Sequence, residues 1–126
     1  MGGYGPLVLR LTLGAIFLMH AYLGLFLIGP DDMAKHFADL HIPFPKLATW
    51  YGLLAHGLGG ICLVLGIVAR WAALANIPVF AGALYFTHFK QGFFMKPEGG
   101  YEYPLVLLGA TVALALMGPG SFTLKK

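Results

Sequence analysis

The chain has 126 residues, 59% hydrophobic and 10% charged, with a formal net charge of +3 and a mean hydropathy of +0.79. Soluble domains carry about 25% charged residues, so this composition cannot cover a water-facing surface and excludes an ordinary soluble enzyme. The eight Lys and Arg are scattered and form no basic stripe, which excludes a nucleic-acid binder; they are expected to act as membrane anchors.

A membrane helix needs about 20 mostly apolar residues, and four stretches qualify in chain order: Leu7–Ile28, Leu47–Val68, Trp71–Phe89 and one ending at Met117. The first is too long for a signal-peptide core, and no Ala-x-Ala site follows it, so it is expected to stay as a span. Gly29-Pro30 stops it. The segment from Pro30 to Lys46 then holds Met33, Phe37 and Leu40 at i, i+4 and i+7. That pattern predicts a short amphipathic helix on the membrane surface, capped by Asp31 or Asp32. The second and third spans are separated by Ala69-Arg70 alone, a turn so short that the two helices must be antiparallel neighbours. The fourth span, about 102–117, has Pro104 in its first turn, where a missing N–H is harmless, and ends at Gly118-Pro119-Gly120. Small residues predict the packing faces: Gly14 and Gly24, then Gly52, His56, Gly59 and Gly60, then Gly109 and Ala113. The expected fold is an all-α integral membrane protein. Its body is an antiparallel four-helix transmembrane bundle with a short amphipathic surface helix between spans one and two.

Charge sets direction. Arg10, Arg70, Lys125 and Lys126 lie on one side without any acidic residue. Lys35, Lys46, Lys90 and Lys96 lie on the other with Asp31, Asp32, Asp39, Glu98 and Glu102. The strict Lys and Arg count ties at four each. The undiluted basic side is taken as cytoplasmic, which puts both termini inside and makes the chain a multi-pass protein of the bacterial inner membrane. Cys62 stands alone in an apolar run, so it offers no disulfide or CxxC pair and reads as a small packing residue.

The polar residues of the spans gather towards the outer half. At 1.5 Å per residue, His20 is about 20 Å from the inner edge of a core about 30 Å thick. By the same rise, His56 is about 14 Å from the outer surface, so the two imidazoles differ by only about 4 Å in depth. His88, Glu102, Tyr22, Tyr51 and Tyr85 belong to the same half, whereas Thr12, Asn76 and Thr111 fall in the inner half. Ionisable groups are expensive in lipid and mark ion, proton or ligand sites. His20, His56, His88, Glu102, Tyr22, Tyr51 and Tyr85 are therefore the candidate cofactor-binding residues. The bland alternatives are histidines bonded to a neighbouring helix and, for Tyr85, an aromatic belt. The ring of His20 is expected to face His56 across a shared pocket and not to bond a backbone carbonyl.

The stretches LVLRLTLGAIFLMHA, HGLGGICLVLGIVARWAAL, GYEYPLVLL and GPGSFTL, in this order and spacing, resemble the DoxX family of small four-helix bacterial membrane proteins over nearly the whole chain. The resemblance implies membrane redox chemistry. The family takes its name from a subunit associated with quinol oxidation and thiosulfate:quinone oxidoreduction, and other members are linked to membrane oxidoreductase complexes. Two departures stand out. The family commonly follows its first-span histidine with glycine and then a lysine, where this chain has His20-Ala21-Tyr22-Leu23-Gly24. It commonly has a glutamate before the Gly-Gly of the second span, where this chain has His56.

Three functions suit these residues. The favoured one is an integral membrane subunit of a quinone-linked oxidoreductase, with a quinone or proton site in the outer half. The second is a haem b anchor with His20 and His56 as axial ligands. The third is a non-catalytic scaffold of a larger complex. With no nucleotide motif or CxxC pair, electrons must be exchanged with other subunits, so the expected partners are the bilayer, redox subunits and further copies of the chain. Copper handling by Met19, His20, Met33, His36 and Met95 is a further reading, since thioether and imidazole suit Cu(I), but no Met-x-x-Met array accompanies them.

Overall fold

A computed structural model describes residues 3–88, 91–94 and 100–124, with the backbone alone for Thr87 and His88. Phe89, Lys90, Met95, Lys96, Glu98, Lys125 and Lys126, used above, lie outside the described residues. The described residues form helices and no strand: α1 (Tyr4–Tyr22), a π-helical continuation (Leu23–Ile28), α2 (Pro30–Asp39), α3 (Pro45–Leu65), α4 (Ala69–Ala83), a second π-helical continuation (Leu84–His88) and α5 (Glu102–Met117). Two are long and apolar enough to cross a membrane, Tyr4–Ile28 and Pro45–Leu65, while Glu102–Met117 is a shorter apolar helix.

Each long helix packs on two others, α1 on α3 and α5, and α4 on α3 and α5. Leu13, Phe17, Leu63, Ala73, Phe80 and Leu114 meet in the shared core. The α1–α3 contact is close because Gly14 and Gly60 face one another. A Cβ on either would stand 3.1 Å from the other's carbonyl oxygen. Gly52 and Gly109 were expected on packing faces, but both have open space where a Cβ would go. A glycine stripe is therefore no guarantee of helix contact.

Between α1 and α3, α2 half-buries Met33, Phe37 and Leu40 and exposes Asp31, Asp32, Lys35, His36 and Asp39, as an amphipathic helix must. It packs on α3. Its N-cap is Gly29, at φ 94°, with Pro30 in the first turn and no side-chain cap. The capping expected from Asp31 or Asp32 is thus replaced by glycine geometry and a proline preset for N1.

The α3–α4 turn also differs from expectation. Ala69 and Arg70 already belong to α4, and the reversal is made by Gly66 at φ 73° and Val68 at φ 41°. Gly66 is required for a second reason. A Cβ there would stand 2.7 Å from Thr123 Cα and 3.2 Å from Arg10 Cζ.

Those two neighbours belong to a clasp at one end of the molecule. Arg10 is 1% exposed, and its guanidinium donates to the carbonyls of Pro119 (2.8 Å), Ser121 (3.1 Å) and Phe122 (2.8 Å). Ser121 N–H donates to Gly3 O at 3.1 Å and Leu124 N–H to Gly66 O at 3.1 Å. The start of α1, the α3–α4 turn and the C-terminal segment are therefore tied together. Arg10 is not a headgroup anchor but the buried centre of this clasp.

Candidate functional site

His20 and His56 sit on facing helices, and their hydrogen bonds place a proton on each ring. His20, exposed on α1, donates from Nδ1 to Ile16 O at 2.8 Å. A carbonyl can only accept, so Nδ1 carries hydrogen, and in the neutral ring the lone pair is on Nε2. This corrects the expectation that His20 makes no backbone bond: position i−4 on its own helix supplies the acceptor. Its ring nevertheless stands 5.8 Å from that of His56, centroid to centroid, at an interplanar angle of 54°.

His56, half-buried on α3, is set by Asn76 of α4. The Asn76 amide nitrogen donates to Ala55 O and Ala72 O, both at 2.9 Å. Two carbonyl partners use both amide hydrogens, so Oδ1 must be the atom 2.7 Å from His56 Nδ1, and Nδ1 must carry hydrogen. His56 Nε2 is left with a lone pair, like that of His20. Gly59 makes the arrangement possible, since a Cβ there would come within 2.6 Å of the Asn76 amide nitrogen. Phe17 stacks on the His56 ring at 5.0 Å and 29°, and Phe80 closes another side at 5.4 Å.

Counting depth from the membrane edge puts Asn76 in the inner half, away from His56, yet the structure joins the two. A signal was available: in a two-helix hairpin turning at Gly66, His56 and Asn76 are each ten residues from the turn and so share one level. Phe80 follows Asn76 by one helical turn, on the same face.

The ring spacing would suit axial ligands of haem b, but the packing around the pair does not. A porphyrin lies between its two axial ligands, so the helices that carry them must stand apart on both sides of the pair. Here a Cβ on Gly57, next to His56, would stand 3.6 Å from Ala21 Cβ, next to His20. One turn further, a Cβ on Gly24 would stand 2.5 Å from Leu53 Cδ2. Helices α1 and α3 touch on both sides of the pair, so the residues do not fit haem.

A separate cavity of about 520 Å³ opens between α3 and α4, beneath Phe37 of α2 and Phe44 of the connector. Gly52, Pro78, Gly82 and Phe86 lie in its wall, and Tyr51 is the single polar side chain there. The Tyr51 hydroxyl donates to Ala75 O at 2.6 Å. Its proton is used, and its oxygen remains an acceptor.

The other candidates are dispersed. Tyr22 meets Phe26 at a tilt, 5.5 Å between ring centroids and 45° between planes. Tyr85, 69% exposed, meets Phe86 edge-on at 4.9 Å. Glu102 heads α5, beside a shallow recess shared with Phe93 and Tyr103. Its N–H donates to Phe93 O at 2.9 Å, and no described hydrogen bond joins it to either histidine. The His88 side chain lies outside the described residues. No curated protein and no solved structure matches the chain. The DoxX family model matches residues 5–89, from the start of α1 to the end of the second π-helical segment, a stretch that contains His20, Tyr51, His56 and Asn76, and the chain belongs to the DoxX family.

Proposed function

We propose that the chain is an integral membrane subunit of a quinone-linked oxidoreductase, and that the cavity between α3 and α4 holds the carrier in its reduced form, a quinol. Family membership and the two long apolar helices make it a membrane protein. In the fuller reading all four long helices cross a bacterial inner membrane, both termini are cytoplasmic, and other redox subunits exchange the electrons.

The observation that carries the reading is the state of Tyr51. The cavity is otherwise walled by apolar side chains, which suits an isoprenoid tail and the body of a quinol ring. With the Tyr51 proton given to Ala75 O, the hydroxyl oxygen accepts from a quinol O–H but has nothing to offer a quinone carbonyl. His56 follows Gly52 of the cavity wall by one helical turn on the same face, so the imidazole pair stands one turn below the bound ring.

The test is a melting series in detergent with oxidised and reduced short-tail quinone analogues. The reduced analogue is expected to stabilise the wild type by about 2.7 kcal/mol at a hundredfold over its dissociation constant, and the oxidised one less. Tyr51→Phe should erase the difference between the two. Gly52→Leu has free space for its side chain and should remove both shifts while leaving the free protein as stable as wild type or more so. A shift that survives Gly52→Leu, or none with any analogue, would refute the reading and favour a scaffold.

A further inference from the structure

We propose that His20 and His56 form a two-coordinate binding site for a soft monovalent metal ion, Cu(I), between α1 and α3. The proposal is independent of the quinol reading, because it uses the α1 side of His56 and not the cavity between α3 and α4.

The argument begins with the protons. Each ring has given its Nδ1–H to a protein acceptor, His20 to Ile16 O and His56 to Asn76 Oδ1. Each therefore retains one lone pair, on Nε2, the donor form of a metal-binding histidine. Metal-bound imidazoles almost always have their other nitrogen anchored in this way, and the anchor fixes both tautomer and ring orientation. For His56 the anchoring goes one layer deeper, since Ala55 O and Ala72 O fix the Asn76 amide.

Distance is the second support. An imidazole nitrogen lies roughly 1.1 Å from its ring centre and binds a metal at about 2.0 Å, so two rings joined through one ion in line stand roughly 6.2 Å apart. The observed separation is 5.8 Å. That is about 0.4 Å short of the in-line value, and the helices stand too close on either side for a macrocycle.

Ligand count and charge select the ion. Among the described residues no group of three or more His, Cys, Asp or Glu is placed to hold a metal. Zinc, calcium and magnesium sites need four or more ligands, commonly with anionic groups among them. A divalent ion between two neutral rings, against Phe17 and Phe80, would keep its full charge in an apolar setting. A filled-shell monovalent ion accepts two donors in line, carries half that charge and favours imidazole and sulfur. His20 also shares an open groove on α1 with Met19, whose thioether is a ligand type an incoming Cu(I) accepts.

The experiment titrates Cu(I) into the purified full-length protein in detergent, without oxygen and against a chromophoric Cu(I) chelator. Expected are one equivalent bound and an X-ray absorption spectrum of two imidazole nitrogens in line. His20→Ala should weaken binding at least 100-fold. That position is exposed and its ring bonds only within α1, so the fold should persist. His56→Ala should do the same, and Asn76→Leu should cost 10- to 100-fold by freeing the ring. Cys62→Ala and the surface changes His36→Ala and His41→Ala should leave affinity unaltered. Wild-type affinity in His20→Ala, its loss in Cys62→Ala, or a three- or four-coordinate spectrum would overturn the proposal.

Discussion

Arg10→Met is expected to lower stability by about 3–5 kcal/mol and to free the C-terminal segment for proteolysis. Hydrogen bonds from a charged donor contribute roughly 1.5–3 kcal/mol each, and Arg10 makes three, to Pro119, Ser121 and Phe122. The full sum is not expected, because carbonyls at the end of the molecule regain water once released. Methionine preserves most of the stem packing, so the loss reports the guanidinium. Arg10→Lys should recover only part, since a compact ammonium cannot span three acceptors that a planar fork reaches together. The checks are a thermal melt and limited proteolysis of residues 118–124. An unchanged melt with a protected C-terminus would contradict the clasp.

Asn76→Leu should destabilise by about 2–3 kcal/mol, and adding His56→Leu should return up to about 1 kcal/mol of that loss instead of adding to it. The single change leaves His56 Nδ1–H without an acceptor beside Phe17 and Phe80, and an unpaired buried donor costs roughly 1–3 kcal/mol. Two further bonds, to Ala55 O and Ala72 O, disappear with it. Membrane-protein hydrogen bonds average only about 0.6 kcal/mol, which keeps the expectation at the lower end of the soluble range. His56→Leu alone strands one acceptor and should cost about 1 kcal/mol. Replacing both partners by apolar groups removes the unpaired atoms altogether. Unfolding of the four proteins of the cycle should give a coupling of about 1–2 kcal/mol, and additive losses would mean that the two side chains do not support one another.

Periodicity and punctuation carried most of the helices. The apolar face of α2, the stop at Gly29-Pro30 and the start of α5 near Glu102 were legible because each rests on local chemistry. The α3–α4 turn was placed three residues late. There the decisive contact is non-local: Gly66 must lack a side chain because the C-terminal segment lies against it. Arg10 was read as an anchor for a similar reason, since its acceptors are backbone carbonyls more than a hundred residues away, and carbonyls have no signature in a sequence. The two π-helical continuations had no signal either.

For the site, depth arithmetic was enough to bring His20 and His56 to one level, and their rings lie 5.8 Å apart. It failed for Asn76 because depth was measured from an assumed membrane edge and not from the shared turn at Gly66. Glu102 and the tyrosines were grouped by depth alone. Depth says nothing about which side of a helix a residue occupies, and the structure distributes them over separate surfaces.

The central claim is that all four long helices cross the bilayer, so that the imidazole pair and the cavity lie within it. Gly3, Gly66 and the C-terminal segment are hydrogen-bonded together at one end, which requires an even number of passes between them. Single cysteines introduced into a Cys62→Ala background, labelled in intact cells with a membrane-impermeant maleimide, test this directly. His41→Cys and Phe94→Cys should label from outside, whereas Arg70→Cys and Leu124→Cys should label only after the membrane is opened. Labelling of Leu124→Cys from outside, or protection of His41→Cys in intact cells, would contradict the account.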